Sequence, residues 1–351
     1  LTAARESPGE RGPIHSTIMY DTRKILVIGS NSFSGSDFVD LLLDDSRNDV
    51  VGISRSAEKT ALFLPYKQRT ASRFRFMQLD LNTDMPRIVD LIHTWQPSHV
   101  VNFAAQSEVA PSWKHPDHWY RTNVVALAQL TQALVERQTS LHRYVHISSP
   151  EVYGSCEGTV TESASLNPST PYAASKAAAD LHLFTLVKNF DFPLIMIRST
   201  NVYGAHQQLF KIIPRSVISL KMGKTIPLHG GGVAVKSYIH IRDVSRGELA
   251  AMEQGRPGTI YHLSPDQGYA VRDVVRAICD RMGRSFEEST VAVGERPGQD
   301  AAYVIDSTRA RTELGWTSPI SLDEGLRGVV EWIDGGWNEV RQHPLDYIHQ
   351  P

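Results

Sequence analysis

The stretch "KILVIGSNSFSGSDFVDLLLDD" (residues 24–45) decides the fold. It begins with an almost unbroken apolar run closed by Gly29, the pattern of a strand buried on both faces of a parallel sheet. Its last ten residues, "SDFVDLLLDD" (36–45), carry helical periodicity. Between them lies G-S-N-S-F-S-G, with Gly29, Ser32 and Gly35 in G-x-x-G-x-x-G spacing and serine at the middle position. Such a loop turns tightly, lets the backbone approach a pyrophosphate, and aims a helix N-terminus at the anion. Serine crowds that approach but leaves the N–H donors available. Set between a buried strand and an amphipathic helix, the loop reads as a dinucleotide-binding turn; the plainer alternative is an ordinary tight βα turn.

Working outward, "DVVGISRS" (49–56), "RFRFMQLDL" (73–81), "HVVNFAAQ" (99–106), "RYVHISS" (143–149) and "PLIMIRST" (193–200) are further strand candidates. They are separated by segments such as "DHWYRTNVVALAQLTQALVER" (117–137) with an apolar stripe at i, i+3, i+4. Strands alternating with helices predict an α/β fold, a Rossmann-type doubly wound parallel sheet. After residue 200 short strands and glycine clusters, as in "PLHGGGVAVKSYIHI" (227–241), mix with helices. The expected division is a dinucleotide-binding domain over 20–198 with a return segment near 235–262. A smaller mixed α/β substrate lobe takes 199–234 and 263–345.

The bulk composition excludes several classes. A net charge of −2 over 351 residues gives no broad attraction to nucleic acid or anionic membrane. Cys156 and Cys279 are the only cysteines, and without paired-Cys spacing or an HExxH they suggest no disulfide framework and no metal site. No apolar run approaches the roughly 18 residues that span a bilayer. Residues 1–19 are polar and rich in Gly and Pro and lack the apolar core of a signal peptide, so a disordered leader is expected. The expected location is the cytoplasm.

Where the second strand ends, an NAD site places an acid against the ribose hydroxyl. This chain has Ser54, Arg55 and Ser56. A guanidinium pairs well with a 2′-phosphate, so NADP(H) is expected ahead of NAD(H). Further along, "PYAASKAAADLHLF" (171–184) sets Tyr172 and Lys176 four apart on one helical face. Tyrosine titrates near ~10; a neighbouring lysine and a cationic nicotinamide favour the phenolate and make Tyr172 a base. Ser149, in "HISSPEVYGS" (146–155), follows a strand and can hydrogen-bond the hydroxyl that Tyr172 deprotonates. Glu151 lies two residues on, beyond Pro150.

Together with "NFAAQSEV", "RTNV", "SSPEVYG", "RSTNVYG", "SYIHIRDV" and "ERPGQDAAYVIDSTRARTELGW", these motifs resemble the extended short-chain dehydrogenase/reductases of the nucleotide-sugar 4,6-dehydratase branch, over residues 23–335. The resemblance implies a homodimer, and a lyase that oxidises a nucleotide-diphosphate hexose at C4, removes the C5 proton with a glutamate, expels water from C6 and returns hydride there. It also implies cofactor contacts at Gly29, Ser32, Phe33, Ser34, Gly35, Ser54, Arg55, Ser56, Asp80, Leu81 and Ala104, besides Tyr172 and Lys176. Implied substrate contacts are Ser107, Asn201, Lys211, Lys236 and Arg296; the last four are expected to hold phosphate or nucleotide.

The family's dTDP-glucose enzymes carry T-D-E where this chain has Ser149-Pro150-Glu151, whereas GDP-mannose enzymes use serine and glutamate without the aspartate. One carboxyl, Glu151, then takes the C5 proton and hands it to the C6 oxygen. Glu108 and Ala110 replace the His and Asp of an S-H-V-D pattern, which separates this chain from dTDP-glucose sugar recognition. The alternatives are an NDP-sugar C4-epimerase, which has no use for an acid at 151, a decarboxylating relative, and a non-catalytic cofactor-binding protein, against which Tyr172 and Lys176 count. The dimer is expected to pack the helix around 119–136 against the one carrying Tyr172.

Overall fold

The structure is a computed structural model describing residues 22–69, 73–136, 141–155, 158–294 and 304–351. The expected leader over 1–19, Cys156 and Arg296 lie outside the described residues. The central sheet has strands β1 (Arg23–Ile28), β2 (Asn48–Ser54), β3 (Phe74–Gln78), β4 (His99–Asn102), β5 (Arg143–Ile147), β6 (Leu194–Ser199) and β7 (Thr259–Leu263). They run β7-β6-β5-β4-β1-β2-β3 with every neighbouring pair parallel. The order reverses between β1 and β4, which opens a crevice at the C-terminal ends of those strands.

The principal helices are α1 (Phe33–Leu42), α2 (Met85–Trp95), α3 (Leu127–Glu136), α4 (Pro171–Phe190), α5 (Ile212–Lys221), α6 (Ile241–Gln254), α7 (Val271–Arg281) and α8 (Leu322–Gly335). Alternate residues of a strand face opposite sides, so "ILVI" must be apolar throughout. Ile25 and Val27 pack with Phe38 and Val39 of α1 and Met252 of α6. Leu26 and Ile28 pack with Ile88 of α2, Leu130 of α3 and Leu183 of α4. A separate core joins Val217 of α5, Val274 and Ile278 of α7, and Leu326 and Val329 of α8. Among the described residues no helix is long and apolar enough to cross a membrane.

Two departures from the sequence reading concern a helix start and an unread strand. Helix α1 begins at Phe33, ahead of the expected Ser36, because Ser32 caps it: its Oγ accepts the Gly35 N–H at 3.1 Å. The loop is therefore the first turn of the helix. Strand β7, "TIYHL", had no periodicity to set it apart, and its place in the sheet comes from pairing with β6.

Helix α4 is fastened to the sheet by buried charge. Arg198 of β6 donates to Asp180 Oδ2 at 2.7 Å, and both side chains are enclosed. Ser148 Oγ donates to the same oxygen at 2.7 Å, and Arg198 also donates to the Tyr153 hydroxyl. Tyr153 in turn lies 2.7 Å from His262 Nε2 on β7. Removing one member of such a pair leaves an unpaired buried charge. Arg198→Ala is expected to lower unfolding stability by about 3–5 kcal/mol, read by urea denaturation; a variant as stable as the parent would mean that the pair does not hold α4.

Candidate active site

Strands β2, β4 and β5 stop short of their apolar stretches, so Arg55, Ala104 and Ser149 fall just past the C-terminal edge of the sheet. One cleft there is lined by Gly29, Ser32, Ser54–Ser56, Asp80, Leu81 and Ala104. Gly29 has φ +87°, and a Cβ there would stand 2.8 Å from the Ala104 nitrogen. A Cβ at Gly35 would stand 2.3 Å from the Gly29 carbonyl oxygen. Both glycines are thus required by the loop's close contacts. The glycine cradle and the capped α1 N-terminus suit the pyrophosphate of a dinucleotide. Phe33 and Ser34 face a second cleft, which shares Ser32 with the first.

Ser54, which ends β2, and Ser56 just beyond it have a bracing function that the sequence did not reveal. Ser54 Oγ accepts the Asn31 N–H at 3.0 Å, and Ser56 Oγ accepts from Asn31 Nδ2 at 2.8 Å. The expectation of NADP(H) rested on Arg55 standing open to a 2′-phosphate. Instead its Nη1 donates to the main-chain oxygens of Gln350 at 3.2 Å and Pro351 at 2.5 Å. That contact comes from a segment almost 300 positions away, out of reach of local reading, and it removes the basis of the NADP(H) preference.

The second cleft gathers Ser149, Glu151, Tyr172 and Lys176 with Ser107, Glu108, Asn201 and Lys211. Ser149 precedes a short helical turn, Pro150–Tyr153, and its Oγ accepts the Glu151 N–H at 3.2 Å. Pro150 occupies the first position of that turn, where its fixed φ is favourable and its missing N–H is no loss. The proline therefore shapes the turn that presents Glu151. Tyr172 and Lys176 enter on the first turns of α4, capped by Thr170, whose Oγ1 accepts the Ala173 N–H at 3.1 Å.

Burial pushes the Tyr172 phenol above its ordinary value and nearby Glu151 adds to this, while a hydrogen bond with Ser149 pulls it back. Lys176 is also enclosed, and burial pushes it down to about 8, against the pull of Asp180. Its ammonium does not turn to Tyr172: it donates to the Ile147 carbonyl oxygen at 2.7 Å and lies 3.3 Å from His146 Nε2. The sequence expectation that this lysine favours the phenolate therefore finds no direct contact here.

Lys211 pairs with Glu108 at 2.6 Å, joining two of the positions discussed from sequence. Oδ1 of Asn201 is buried and has no hydrogen-bond partner among the described residues, although Asn201 lines the cleft. Lys236 is not brought into the cleft wall; it belongs to a short strand, Val235–Lys236, paired with Tyr269–Ala270.

Sequence reading missed Asn123. The chain widens to an i→i+5 turn over Arg121–Ala126, ahead of α3. There Asn123 Oδ1 accepts the Gln106 N–H at 2.8 Å, and Nδ2 donates to the Gln106 carbonyl at 3.0 Å and to Ser175 Oγ at 2.9 Å. It ties the strand-end loop of the first cleft to the helix carrying Tyr172 and Lys176. The signals in the sequence were a polar residue within an apolar stripe and its place in the motif "RTNV", neither of which gave it a role.

Comparison with known proteins agrees with this arrangement. The family model described as GDP-mannose 4,6 dehydratase matches residues 26–329. A dTDP-glucose 4,6-dehydratase of Haemophilus influenzae is 29% identical over 88% of this chain and 97% of its own. Among solved structures, a dTDP-glucose 4,6-dehydratase from Streptomyces venezuelae with NAD bound superimposes with a TM-score of 0.81 at 31% identity, over 90% of this chain and 98% of that one. A UDP-glucuronic acid 4-epimerase from Bacillus cereus, in complex with UDP-glucuronic acid and NAD, gives 0.81 at 26% identity over 89% and 99%. Family match, parallel-sheet order and the glycine-lined crevice agree: the chain belongs to the GDP-mannose 4,6 dehydratase family of extended short-chain dehydrogenase/reductases.

Proposed function

We propose that this chain is a nucleotide-sugar 4,6-dehydratase, a lyase that converts an NDP-hexose to the NDP-4-keto-6-deoxyhexose with NAD(H). The observation that carries the reading is Glu151 in one cleft with Ser149, Tyr172 and Lys176. A C4-epimerase, the alternative, needs no carboxyl there. A nicotinamide, when bound, supplies the acceptor for hydride from C4 and its donor at C6. Tyr172 takes the proton of the C4 hydroxyl, and Ser149 orients that hydroxyl. Oxidation at C4 makes the C5 hydrogen acidic, and Glu151 removes it. The same carboxyl then protonates the C6 oxygen, so that water leaves, and C5 regains a proton from solvent. Asn201 and Lys211 are assigned to the diphosphate. The engagement of Arg55 and the NAD in similar solved structures support NAD(H). We assign the nucleotide-sugar lobe to 199–234 and 263–345, which holds Asn201, Lys211 and the core of α5, α7 and α8.

We also propose a homodimer. Val125, in the wide turn before α3, and Leu181 on α4 are 51% and 60% exposed on two helices that pack side by side. Light scattering at micromolar concentration is expected to give twice the chain mass, and a monomer mass would refute the assembly.

Mass spectrometry of the protein incubated with UDP-, dTDP-, GDP- and CDP-hexoses should show one sugar nucleotide lighter by one water. In Glu151→Gln the product should not form while reduced nicotinamide builds up, because oxidation proceeds and elimination does not. A change at C4 without loss of mass would establish the epimerase instead. The pH dependence follows from Lys176, whose ammonium is the charged form and gives up its proton near 8. Its charge is present below that value and lost above it, so turnover is expected to fall as pH rises through about 8. A rate that is flat from about pH 7 to about pH 9 (roughly ±1 unit around the group) would remove the charge of Lys176 from the mechanism.

A further inference from the structure

Residues 343–351 take no part in the chemistry above, yet they run from the lobe to the dinucleotide domain and reach the wall of the first cleft at Gln350. At the lobe end Asp346 pairs with Arg215 of α5 at 3.2 Å, and the Tyr347 ring meets Phe210 edge-on at 5.4 Å. At the other end the His349 ring stacks on Trp119 at 5.3 Å, and its Nε2 lies 2.8 Å from His118 Nδ1. The Tyr347 hydroxyl is 3.0 Å from the other ring nitrogen of His349. Beyond His349, the Gln350 carbonyl accepts from Gln106 Nε2 at 2.8 Å as well as from Arg55, and the Gln350 side of the segment lines the cleft with Gly29 and Asp80.

We propose that residues 343–351 form a strap over the dinucleotide cleft that slows exchange of the cofactor and, by engaging Arg55, biases the site against a 2′-phosphate. The proposal rests on the assignment of that cleft to a nicotinamide dinucleotide. Two physical points carry it. The segment is held at both ends by side chains of different lobes, and a dinucleotide seated on Gly29 and reaching Arg55 would meet it at Gln350. Moreover, Arg55 is the only arginine or lysine of Ser54–Ser56, and its Nη1 is already held by the main-chain oxygens of Gln350 and Pro351, so a phosphate that takes the guanidinium through that nitrogen must displace them. A guanidinium with one nitrogen engaged is a weaker bidentate phosphate receptor than a free one.

The test is stopped-flow release of NADH, together with the affinities for NAD⁺ and NADP⁺. It compares the full chain, a chain ending at residue 342, His349→Ala and Arg55→Ala. In the chain ending at 342, NADH release should quicken by about ten-fold or more, the scale of one lost charge-assisted hydrogen bond. NADP⁺ should also gain on NAD⁺ as Arg55 is freed. His349→Ala, which unseats the strap without shortening the chain, should move both readouts the same way and serves if the shortened chain does not fold. Arg55→Ala should quicken release without the gain in NADP⁺. Unchanged release and an unchanged NAD⁺/NADP⁺ ratio in both strap variants would overturn the proposal. So would tighter NAD⁺ binding on shortening, which would make the segment a competitor for the cleft. If the full chain binds neither dinucleotide, the assignment of the cleft itself falls, an outcome distinct from binding with unaltered exchange.

Discussion

The ion pair between Asp180 and Arg198 is enclosed on all sides, and the rest of the site is hung from it. Charges this deep are kept only where partners satisfy them. Here the partners come from separate elements: Ser148 after β5, Arg198 on β6, and Tyr153, itself bonded to His262 on β7. Asp180 stands one turn beyond Lys176, and Lys176 one turn beyond Tyr172, on a single straight helix. Anchoring that aspartate to the sheet therefore sets the height and rotation of the lysine and tyrosine over the strand ends. Ser149 belongs to the same strand-end segment as Ser148, so the hydroxyl and the phenol are positioned by one network.

A site built this way carries its own electrostatic conflict. Burial holds Tyr172 in the phenol form and drives Lys176 towards the amine, the opposite of what a base and its cationic neighbour need. Asp180 opposes the shift at Lys176. Asp180 thus favours the charge on the lysine in a place where desolvation and Arg198 both work against it. In the second cleft, Glu108 and Lys211 neutralise each other while Asn201 Oδ1 has no partner among the described residues. The orphaned oxygen suits a polar ligand that supplies the missing contact, since unmet buried polar groups are uncommon in native structures.

Pro150 fits this picture as a structural residue. Proline at this position supplies a first helical residue with the correct φ. The turn begins one residue ahead of Glu151, and Ser149 caps it through the Glu151 N–H. Pro150 and Ser149 together thus fix the placement of the Glu151 backbone.

The loop 29–35, the alternation of strands and helices and the Tyr172/Lys176 pair were legible because each is local: a buried strand must be apolar on both faces, and residues four apart on a helix share a side. The same logic reached Ser149 and Glu151, which lie close together at a strand end. It failed at Arg55, whose partners are almost 300 positions distant, and at Lys236, which sequence proximity to a family pattern placed in a cleft it does not line. It also missed Asn123, since a widened helical turn leaves no trace in periodicity, and Asp180 and Arg198, whose importance is that they meet. The sequence by itself determined the elements and the chemical types at the site, through short-range sterics and burial. Only the tertiary structure decided which charges are engaged, because pairing depends on where separate elements pack.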